Sequence, residues 1–546
     1  MHAFGEGPLD DNKGSRKEYP RAVFYIFTNP LALYGSRATM NVGENATMGQ
    51  KPEARFRAIM GQIDCLNSIS STLSWDMRVA MPPAGAACRS EEMERLAGRI
   101  HALKTSREMG ELLSCLEADP PQDPVILAME SKARREYERL NRVPEDLFAA
   151  YAAHTLRTEA LWPTARTNGD YELIRPLLAQ EFAYKREISA CCGFGDDPLT
   201  GLMDQWEPGL TRAEIDGLFE TLKRELIPLM QALQALPQPD RKPLAGVFPI
   251  EKQKAFCRRV LEAVGFDFDR GRVDESPHPY TTVNHRQDVR ITCRYFEDDF
   301  TRALFSSLHE GGHAIYGQSV DPALMGTGLG RAASFPMDEG QARFLECMIG
   351  HSLPFWEWAL PLAKGWFPDL QDQSTAAFWR SLNALKVTPL RLGSDELSYN
   401  LHILLRYELE KELFDGALSF QDLPGAWNEK TKAYLGVRPR NDAEGVLQDM
   451  HWFSGFVGYY QNYTLGSCYA SQLLGAMERD VPDLFEEVRR GRFNGVKAWN
   501  EAHVHRFGAI RPARQILRAA AGEDLNVDRY VRYLQEKYAR VYGLQA

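Results

Sequence analysis

The 546-residue sequence has no run of about 20 apolar residues, so no segment is expected to span a membrane as a helix. A surplus of positive charge is also missing. Lys and Arg number 64 against 74 Asp and Glu, and the net charge of −10 argues against a nucleic-acid-binding surface. Internal repeats and low-complexity tracts are absent. Neither a membrane nor nucleic acid is therefore an expected partner, and the composition is that of a globular protein.

Cysteine is sparse and irregularly placed. The nine residues are odd in number, and none forms a C-x-x-C pair: Cys65, Cys88, Cys115, Cys191, Cys192, Cys257, Cys293, Cys347 and Cys468. This pattern predicts neither a disulfide framework nor a thiolate zinc site. A reducing, cytoplasmic compartment is the simplest interpretation.

The first 48 residues differ from the rest, because they are rich in Gly, Asn and Pro and lack helical periodicity. Glu6, Asp10 and Asp11 are unfavourable in a signal or transit peptide. Met40 and Met48 are alternative starting positions for translation. We predict a loose extension over residues 1–48, followed by one folded domain over residues 49–546.

From Pro52 onward the hydrophobic pattern is mostly helical. The clearest helices are predicted at Val125–Arg142 and at Leu218–Leu236, the second with a kink at Pro228. Turn-forming residues interrupt the pattern at 119–124, 168–170, 236–239 and 522–524. One strand is predicted at Val289–Phe296 from its β-branched and aromatic residues. The fold class is therefore mainly α: a single large helical body with a small β-sheet.

The most informative stretch is His309-Glu310-Gly311-Gly312-His313, an H-E-x-x-H pattern. On a helix, residues four apart lie on one face, so two imidazoles there can bind one Zn²⁺ at about 2.0–2.1 Å each. The glutamate beside the first histidine is placed to act on a metal-bound water. This is the pattern of a zinc peptidase.

The surrounding residues favour a helix over Thr301–Val320, preceded by acidic residues that suit a helix start. Gly311 and Gly312 each cost a helix about 1 kcal/mol, which indicates close approach of substrate or of another backbone. Catalytic zinc usually has a third protein ligand. Glu339 and Glu346, on a predicted downstream helix, are both candidates, and their spacing does not distinguish them.

Six short segments, in this order, form a more specific pattern: His278-Pro279-Tyr280, Asp288-Val289-Arg290-Ile291-Thr292, the pentapeptide at 309–313, Asp338-Glu339-Gly340-Gln341, Leu390-Arg391-Leu392-Gly393-Ser394-Asp395, and Gly445-Val446-Leu447-Gln448-Asp449-Met450-His451-Trp452. They resemble the ordered motifs H-P-F, D-x-R-x-T, H-E-x-x-H, H-E-S/G-Q, I-R-x-x-A/S-D and G-x-x-Q-D-x-H-W of the thermostable carboxypeptidase Taq family, the M32 metallocarboxypeptidases. The resemblance extends over about Ala54 to Gly543. Tyr280, Asp338 and Leu390 depart from the family residues.

The resemblance implies an enzyme, a metal-dependent carboxypeptidase that removes C-terminal amino acids from peptides. It assigns the third ligand to Glu339 rather than Glu346, and implies one Zn²⁺ per chain, with Co²⁺ as the alternative. It also implies a deep active-site groove and a homodimer. Asp338 replaces a histidine next to a ligand, so the hydrogen bonding behind the metal is expected to differ from the family pattern.

In the mechanism that this resemblance implies, Glu310 is the general base for attack by a zinc-bound water on the peptide carbonyl. Arg391 resembles the family residue that binds the free C-terminal carboxylate of the substrate. Arg290, Arg343 and Arg406 are expected to be structural ion-pair partners. A second donor to the developing oxyanion is predicted from a set of three residues near the substrate: His278, His451 and Tyr463.

Two other functions are alternatives to a metal-dependent carboxypeptidase. A helical zinc endo-oligopeptidase would share the metal site and groove, but it would not need Arg391 and would cut peptides with a blocked C-terminus. A catalytically inactive helical binding scaffold is the second alternative. It is disfavoured because an inactive site has no need of Glu310 beside His309 and His313.

Overall fold

The computed structural model describes residues 51–544, and α-helices make up most of this range. The predicted extension at 1–48 lies outside the described residues. The α-helices run in chain order as α1 Pro52–Val79, α2 Ala86–Lys104, α3 Arg107–Ala118, α4 Pro124–Arg142, α5 Glu145–Asn168, α6 Tyr171–Cys191, α7 Pro198–Asp204, α8 Arg212–Gln234, α9 Ile250–Val264, α10 Phe300–Ser319, α11 Phe335–Arg343, α12 Leu353–Trp366, α13 Thr375–Leu382, α14 Glu396–Asp415, α15 Leu423–Leu435, α16 Gln461–Asp480, α17 Leu484–Arg489, α18 Asn494–His503, α19 Ala513–Ala521 and α20 Val527–Tyr542.

Shorter helical turns complete the architecture. A π-helix, Phe344–Gly350, continues directly from α11, and 3₁₀ turns lie at Pro83–Gly85, Lys242–Leu244, Pro322–Leu324, Pro368–Leu370, Trp452–Ser454 and His505–Phe507. One large hydrophobic core joins most of the helices. The predicted fold class, mainly helical with a small sheet, is confirmed.

The sheet has three strands, β1 Gly271–Glu275, β2 Thr281–His285 and β3 Asp288–Cys293, in the order β1-β3-β2. β1 runs parallel to β3, and β2 runs antiparallel to it, with Thr281 opposite Ile291. Val289 and Ile291 of β3 are fully buried, and the strand packs on α10. The sheet therefore supports one side of the helix that carries the H-E-x-x-H residues.

Side-chain caps determine where the helices of the site begin. Asp299 accepts a hydrogen bond from the Thr301 N–H at the start of α10, and Ser334 accepts one from the Met337 N–H at the start of α11. Each cap satisfies a backbone donor that has no partner within its helix. The predicted helix at 301–320 is thus found one residue earlier, at 300–319.

The predicted strand at 289–296 is wrong at its end. β3 stops at Cys293, and the Phe296 carbonyl accepts bonds from the Gln253 side chain and the Asp299 N–H instead of from a strand partner. The chain turns there to enter α10. The predicted interruptions fall between helices, but Pro228 lies within α8, which continues through it.

Within 51–544, the helices include none that is long and apolar enough to cross a membrane. All nine cysteines lie in this range, and each is a free thiol.

Candidate metal centre

The site begins with three side chains from two helices. His309 and His313 lie one turn apart on α10, with ring centroids 5.1 Å apart, and Glu339 projects from α11. The His309 Nε2 is 3.9 Å from a Glu339 carboxylate oxygen, and one ligand atom from each of the three residues lies within 4.8 Å of the others. Ligand atoms around a tetrahedral zinc ion are about 3.4 Å apart. The cluster therefore needs only a small contraction to bind a metal ion.

Glycine allows the helices of the site to approach this closely. A Cβ at Gly312 would lie 2.5 Å from the carbonyl oxygen of Gln341 and 2.6 Å from Cα of Ala342, both backbone atoms of α11. A Cβ at Gly466, on α16, would lie 2.8 Å from Cγ of Glu339. The predicted close approach is thus to another backbone. Helix packing at these two glycines brings Glu339 to the histidines.

Glu346 contacts His309 from the opposite side of the ring. Its carboxylate is 3.0 Å from His309 Nδ1, whereas Glu339 faces Nε2. The π-helix that starts at Phe344 has a wider turn than α11, so Glu346 does not simply lie two α-helical turns beyond Glu339. An Nδ1–H donated to Glu346 leaves the Nε2 lone pair for a metal ion.

Asp338 lies next to Nδ1 of His313, as Glu346 lies next to Nδ1 of His309. Asp338 Oδ1 is 2.9 Å from His313 Nδ1, but the two atoms do not form a well-formed hydrogen bond. The contact is therefore electrostatic. The aspartate that departs from the family motif thus places a negative charge beside Nδ1 of the second histidine.

The charges around the imidazoles fit a divalent cation. Four carboxylates surround them: Glu310, Asp338, Glu339 and Glu346. Arg343 forms an ion pair with one of them, Glu346, at 3.2 Å. Burial lowers the pKa of His313, but the charge of Asp338 and its other acidic neighbours outweigh burial and raise it to about 10. A bound cation would take the place of that proton.

Glu310 is 7% exposed and lies between the two histidines in sequence. Burial raises the pKa of its carboxyl group, although His309, His313 and a hydrogen bond from Thr281 act in the opposite direction. A raised pKa suits a general base that must accept a proton and later return it. Thr281, whose hydroxyl is 2.7 Å from Glu310 Oε2, was not identified from the sequence.

A second group of contacts surrounds Arg391. Its guanidinium donates to Asp449 from Nη2 at 2.9 Å and to the Tyr399 hydroxyl from Nη1 at 3.2 Å. The Arg391 backbone N–H donates to the Gln448 side chain at 2.8 Å. Two of the sequence motifs are therefore physically joined, because Gln448 and Asp449 of one hold Arg391 of the other.

The other three arginines also have acidic partners, as predicted. Arg290 pairs with Asp288, Arg343 with Glu346, and Arg406 with Asp449. An ion pair alone therefore does not distinguish Arg391. Arg391 and Arg406 share one partner, because Asp449 accepts from Arg391 through Oδ1 and from Arg406 through Oδ2. Two buried guanidinium groups thus face one carboxylate.

The predicted oxyanion donors fall in two places. The His451 Nε2 is 3.2 Å from the Tyr463 hydroxyl, and the Arg391 guanidinium lies 5.5 Å from the Tyr463 ring centre. Burial, aided by Arg391 and Arg406 and opposed by Asp449, lowers the pKa of His451 to about 3. The imidazole is therefore neutral near pH 7. His278 lies in the turn between β1 and β2 with its side chain exposed.

Contacts through Tyr399 join the metal cluster to the group of residues around Arg391. Arg343 places its guanidinium 5.0 Å from the Tyr399 ring centre, and Tyr399 in turn accepts a hydrogen bond from Arg391. Arg343 also donates to Glu346, which contacts His309. The metal cluster and the Arg391 group are therefore adjoining parts of one site.

Glu346→Gln tests the role of the carboxylate behind His309. The amide can still accept a hydrogen bond but has no charge, so we expect metal affinity to fall about 10–100-fold with a full equivalent bound at saturation. Asp338→Asn is the matched variant behind His313. Metal titration of chelator-treated protein measures both. Unchanged affinity in Glu346→Gln would contradict the supporting role, and failure to bind any metal would make Glu346 a ligand.

Comparison with known proteins identifies the same family by a sequence model and by individual relatives. The sequence model of the family described as Carboxypeptidase Taq (M32) metallopeptidase matches residues 55–538. Carboxypeptidase 1 of Bacillus subtilis is 37% identical over 496 residues, covering 90% of this chain and 99% of that protein. Thermostable carboxypeptidase 1 of Thermus thermophilus is 36% identical over 508 residues, covering 90% of this chain and 100% of that protein.

A solved structure agrees with the sequence comparison. The crystal structure of the M32 carboxypeptidase from Deinococcus radiodurans R1 superposes with a TM-score of 0.88 at 32% identity. It covers 91% of this chain and 100% of the solved chain. The similarity therefore extends over most of the chain and is not confined to the metal helix.

Proposed function

Because the chain belongs to the Carboxypeptidase Taq (M32) metallopeptidase family, it is a metal-dependent carboxypeptidase, and we propose that its peptide hydrolysis takes place at His309, Glu310, His313 and Glu339. One observation carries the assignment of residues: one potential ligand atom from each of His309, His313 and Glu339 lies within 4.8 Å of the others. The buried carboxylate of Glu310 adjoins this cluster.

We propose Zn²⁺ as the metal, one ion per chain, with His309, His313 and Glu339 as ligands and Co²⁺ as the alternative ion. Two imidazoles and one carboxylate are the donors of many catalytic zinc sites and leave a coordination position open. The same donors bind other divalent first-row ions. When bound, the ion polarises the scissile carbonyl and makes hydroxide available near neutral pH.

Glu310 is proposed as the general base. One of its carboxylate oxygens takes a proton from the attacking water as the new C–O bond forms. The same proton then passes to the nitrogen of the leaving amine as the C–N bond breaks, and Glu310 returns to its charged form. Its burial supports this role, since a carboxyl group with a raised pKa accepts a proton more readily.

Arg391 is proposed to bind the C-terminal carboxylate of the substrate. The support is a local excess of charge, because the buried Arg391 and Arg406 share the single carboxylate of Asp449. A substrate carboxylate would supply the missing negative charge. Tyr399 and Tyr463 lie beside the guanidinium and would form the walls of this subsite.

Tyr463 is the preferred second donor to the oxyanion, ahead of His451 and His278. Burial raises the pKa of Tyr463, so its phenol keeps a proton to donate. The neutral His451 can donate its Nε2–H to the Tyr463 oxygen, which directs the phenolic proton elsewhere. His278 is exposed and is proposed only as a contact to the substrate.

Arg391→Ala should mainly lower kcat/KM for peptides with a free C-terminus. A charged hydrogen bond contributes about 1.5–3 kcal/mol, which corresponds to a loss of roughly 10–150-fold. Initial rates on a peptide and its C-terminal amide measure the effect, and the gap between the two substrates should narrow in the variant. Arg391→Lys is the matched variant, since it keeps the charge but loses the planar fork, and we expect an intermediate loss.

An equal loss on the amide and on the free acid in Arg391→Ala would contradict carboxylate binding by this residue. A wild-type enzyme that cut both peptides at internal bonds would favour the endo-oligopeptidase alternative. The family assignment does not favour that alternative. Membership of an enzyme family also disfavours an inactive scaffold.

The remaining proposals concern the oligomeric state, the cellular location and the substrate of the enzyme. We propose a homodimer in the cytoplasm, acting on peptides with free C-termini held in a groove beside the metal cluster. The nine free thiols support a reducing compartment, and the dimer rests on the family resemblance. Light scattering tests the dimer, which should have twice the chain mass of 61.8 kDa.

A further inference from the structure

Thr281, on strand β2, forms a hydrogen bond with the carboxylate of Glu310. Its hydroxyl oxygen lies 2.7 Å from Glu310 Oε2 and 2.9 Å from the backbone carbonyl oxygen of the same residue. β2 is paired with β3 through the register of Thr281 with Ile291. The hydroxyl is therefore held by a sheet and not by a mobile loop.

The hydroxyl has one hydrogen and two neighbouring acceptors. A carboxylate is the stronger acceptor because it is charged, and the backbone carbonyl of Glu310 lies within α10, where helical bonding satisfies it. The Thr281 hydrogen is therefore directed at Oε2. Glu310 Oε1 has no hydrogen-bond partner among the residues described by the structure, so one oxygen is held and the other is open.

We propose that Thr281 is a positioning residue for the general base. It donates to Oε2 and so leaves Oε1 to take the proton of the attacking water and return it to the leaving amine. Thr281 keeps its own proton throughout, and Glu310 ends each cycle as a carboxylate. The proposal rests on the proposed role of Glu310, which is tested independently by Glu310→Gln.

The neighbouring residue provides a matched control. Thr282 is on the same strand and is 1% exposed, but its hydroxyl has no hydrogen-bond partner within the described part of the chain. Thr282→Val and Thr281→Val therefore make the same chemical change one residue apart. They differ in whether the lost hydroxyl contacts the base.

The test compares Thr281→Val, Thr281→Ser and Thr282→Val as metal-loaded proteins on a peptide with a free C-terminus. Thr281→Val should lower kcat roughly 10–150-fold, the effect of losing one charged hydrogen bond, with little change in KM. Thr281→Ser keeps the hydroxyl and should recover most of kcat. The metal content of Thr281→Val should match that of Thr282→Val, because neither substitution removes a ligand.

Three results would overturn the proposal. Thr281→Val with wild-type kcat would show that the hydroxyl does not orient the base, while an inactive Glu310→Gln would still leave the base assigned. Equal losses in Thr281→Val and Thr281→Ser would show that the hydroxyl is not what matters. Metal loss in Thr281→Val, in proportion to its lost activity, would show a purely structural role.

Discussion

Glu310→Gln should reduce kcat by at least about 10²–10⁴-fold, the range expected for loss of a general base. The amide has nearly the shape of the carboxylate and can still contact Thr281, but it cannot accept the proton of the attacking water. Metal should remain bound, because Glu310 is not among the three proposed ligands. Initial rates at saturating peptide, together with elemental analysis, measure both expectations.

Glu346→Gln is the matched control for this variant. It makes the same Glu-to-Gln change in the same cluster, 3.0 Å from His309, but on a residue that touches no proposed reacting atom. At saturating metal it should keep substantial turnover. If Glu310→Gln retained more than roughly a tenth of the wild-type kcat, the loss would be too small for a general base.

Removal of a metal ligand should have the second large effect. His313→Ala and Glu339→Gln each take away one of three protein donors, so the loss of metal affinity should exceed the roughly 10–100-fold expected for residues behind the ligands. Activity should fall with metal occupancy. Competition with a chromophoric chelator gives the affinity, and elemental analysis of the purified variants gives the occupancy.

The contrast between Glu339→Gln and Glu346→Gln is the most informative part of that series. Both carboxylates contact His309, but Glu339 faces Nε2 and Glu346 faces Nδ1. Only substitution of Glu339, which lies on the metal side of the His309 ring, should abolish metal binding. Full metal occupancy in His313→Ala, or in Glu339→Gln, would contradict the proposed ligand set.

The helix that carries His309 and His313 was predictable from local sequence. The spacing of apolar residues and the acidic residues ahead of it placed α10 to within one residue at each end. The two glycines also indicated that something must approach closely. Which backbone approaches was not predictable, because the contact of Gly312 with α11 joins helices through tertiary packing.

The choice between Glu339 and Glu346 was not available from residue spacing. A continuous α-helix puts residues seven apart on a similar face, so both carboxylates remain candidates. The π-helix beginning at Phe344 changes that geometry, and no simple periodicity predicts it. Resemblance to a family, and not local pattern, supplied the preference for Glu339.

Contacts between distant segments were the least predictable features of the site. Asp449 was visible as part of a motif, yet its bond to Arg391 spans 58 residues. Thr281 directly follows the His278-Pro279-Tyr280 segment, but the short strands β1 and β2 were not predicted individually. Residues whose function depends on a partner across the fold leave no local hydrophobic pattern to detect.

The most direct test of the account is mass spectrometry of products from a matched pair of peptides, one with a free C-terminus and one amidated, with and without chelator. We expect residues to be removed one at a time from the end of the free peptide, and the amidated peptide to be barely cut. Chelator should stop the reaction, and added Zn²⁺ or Co²⁺ should restore it. Internal cleavage of both peptides at equal rates, or trimming that persists without metal, would contradict a metal-dependent carboxypeptidase.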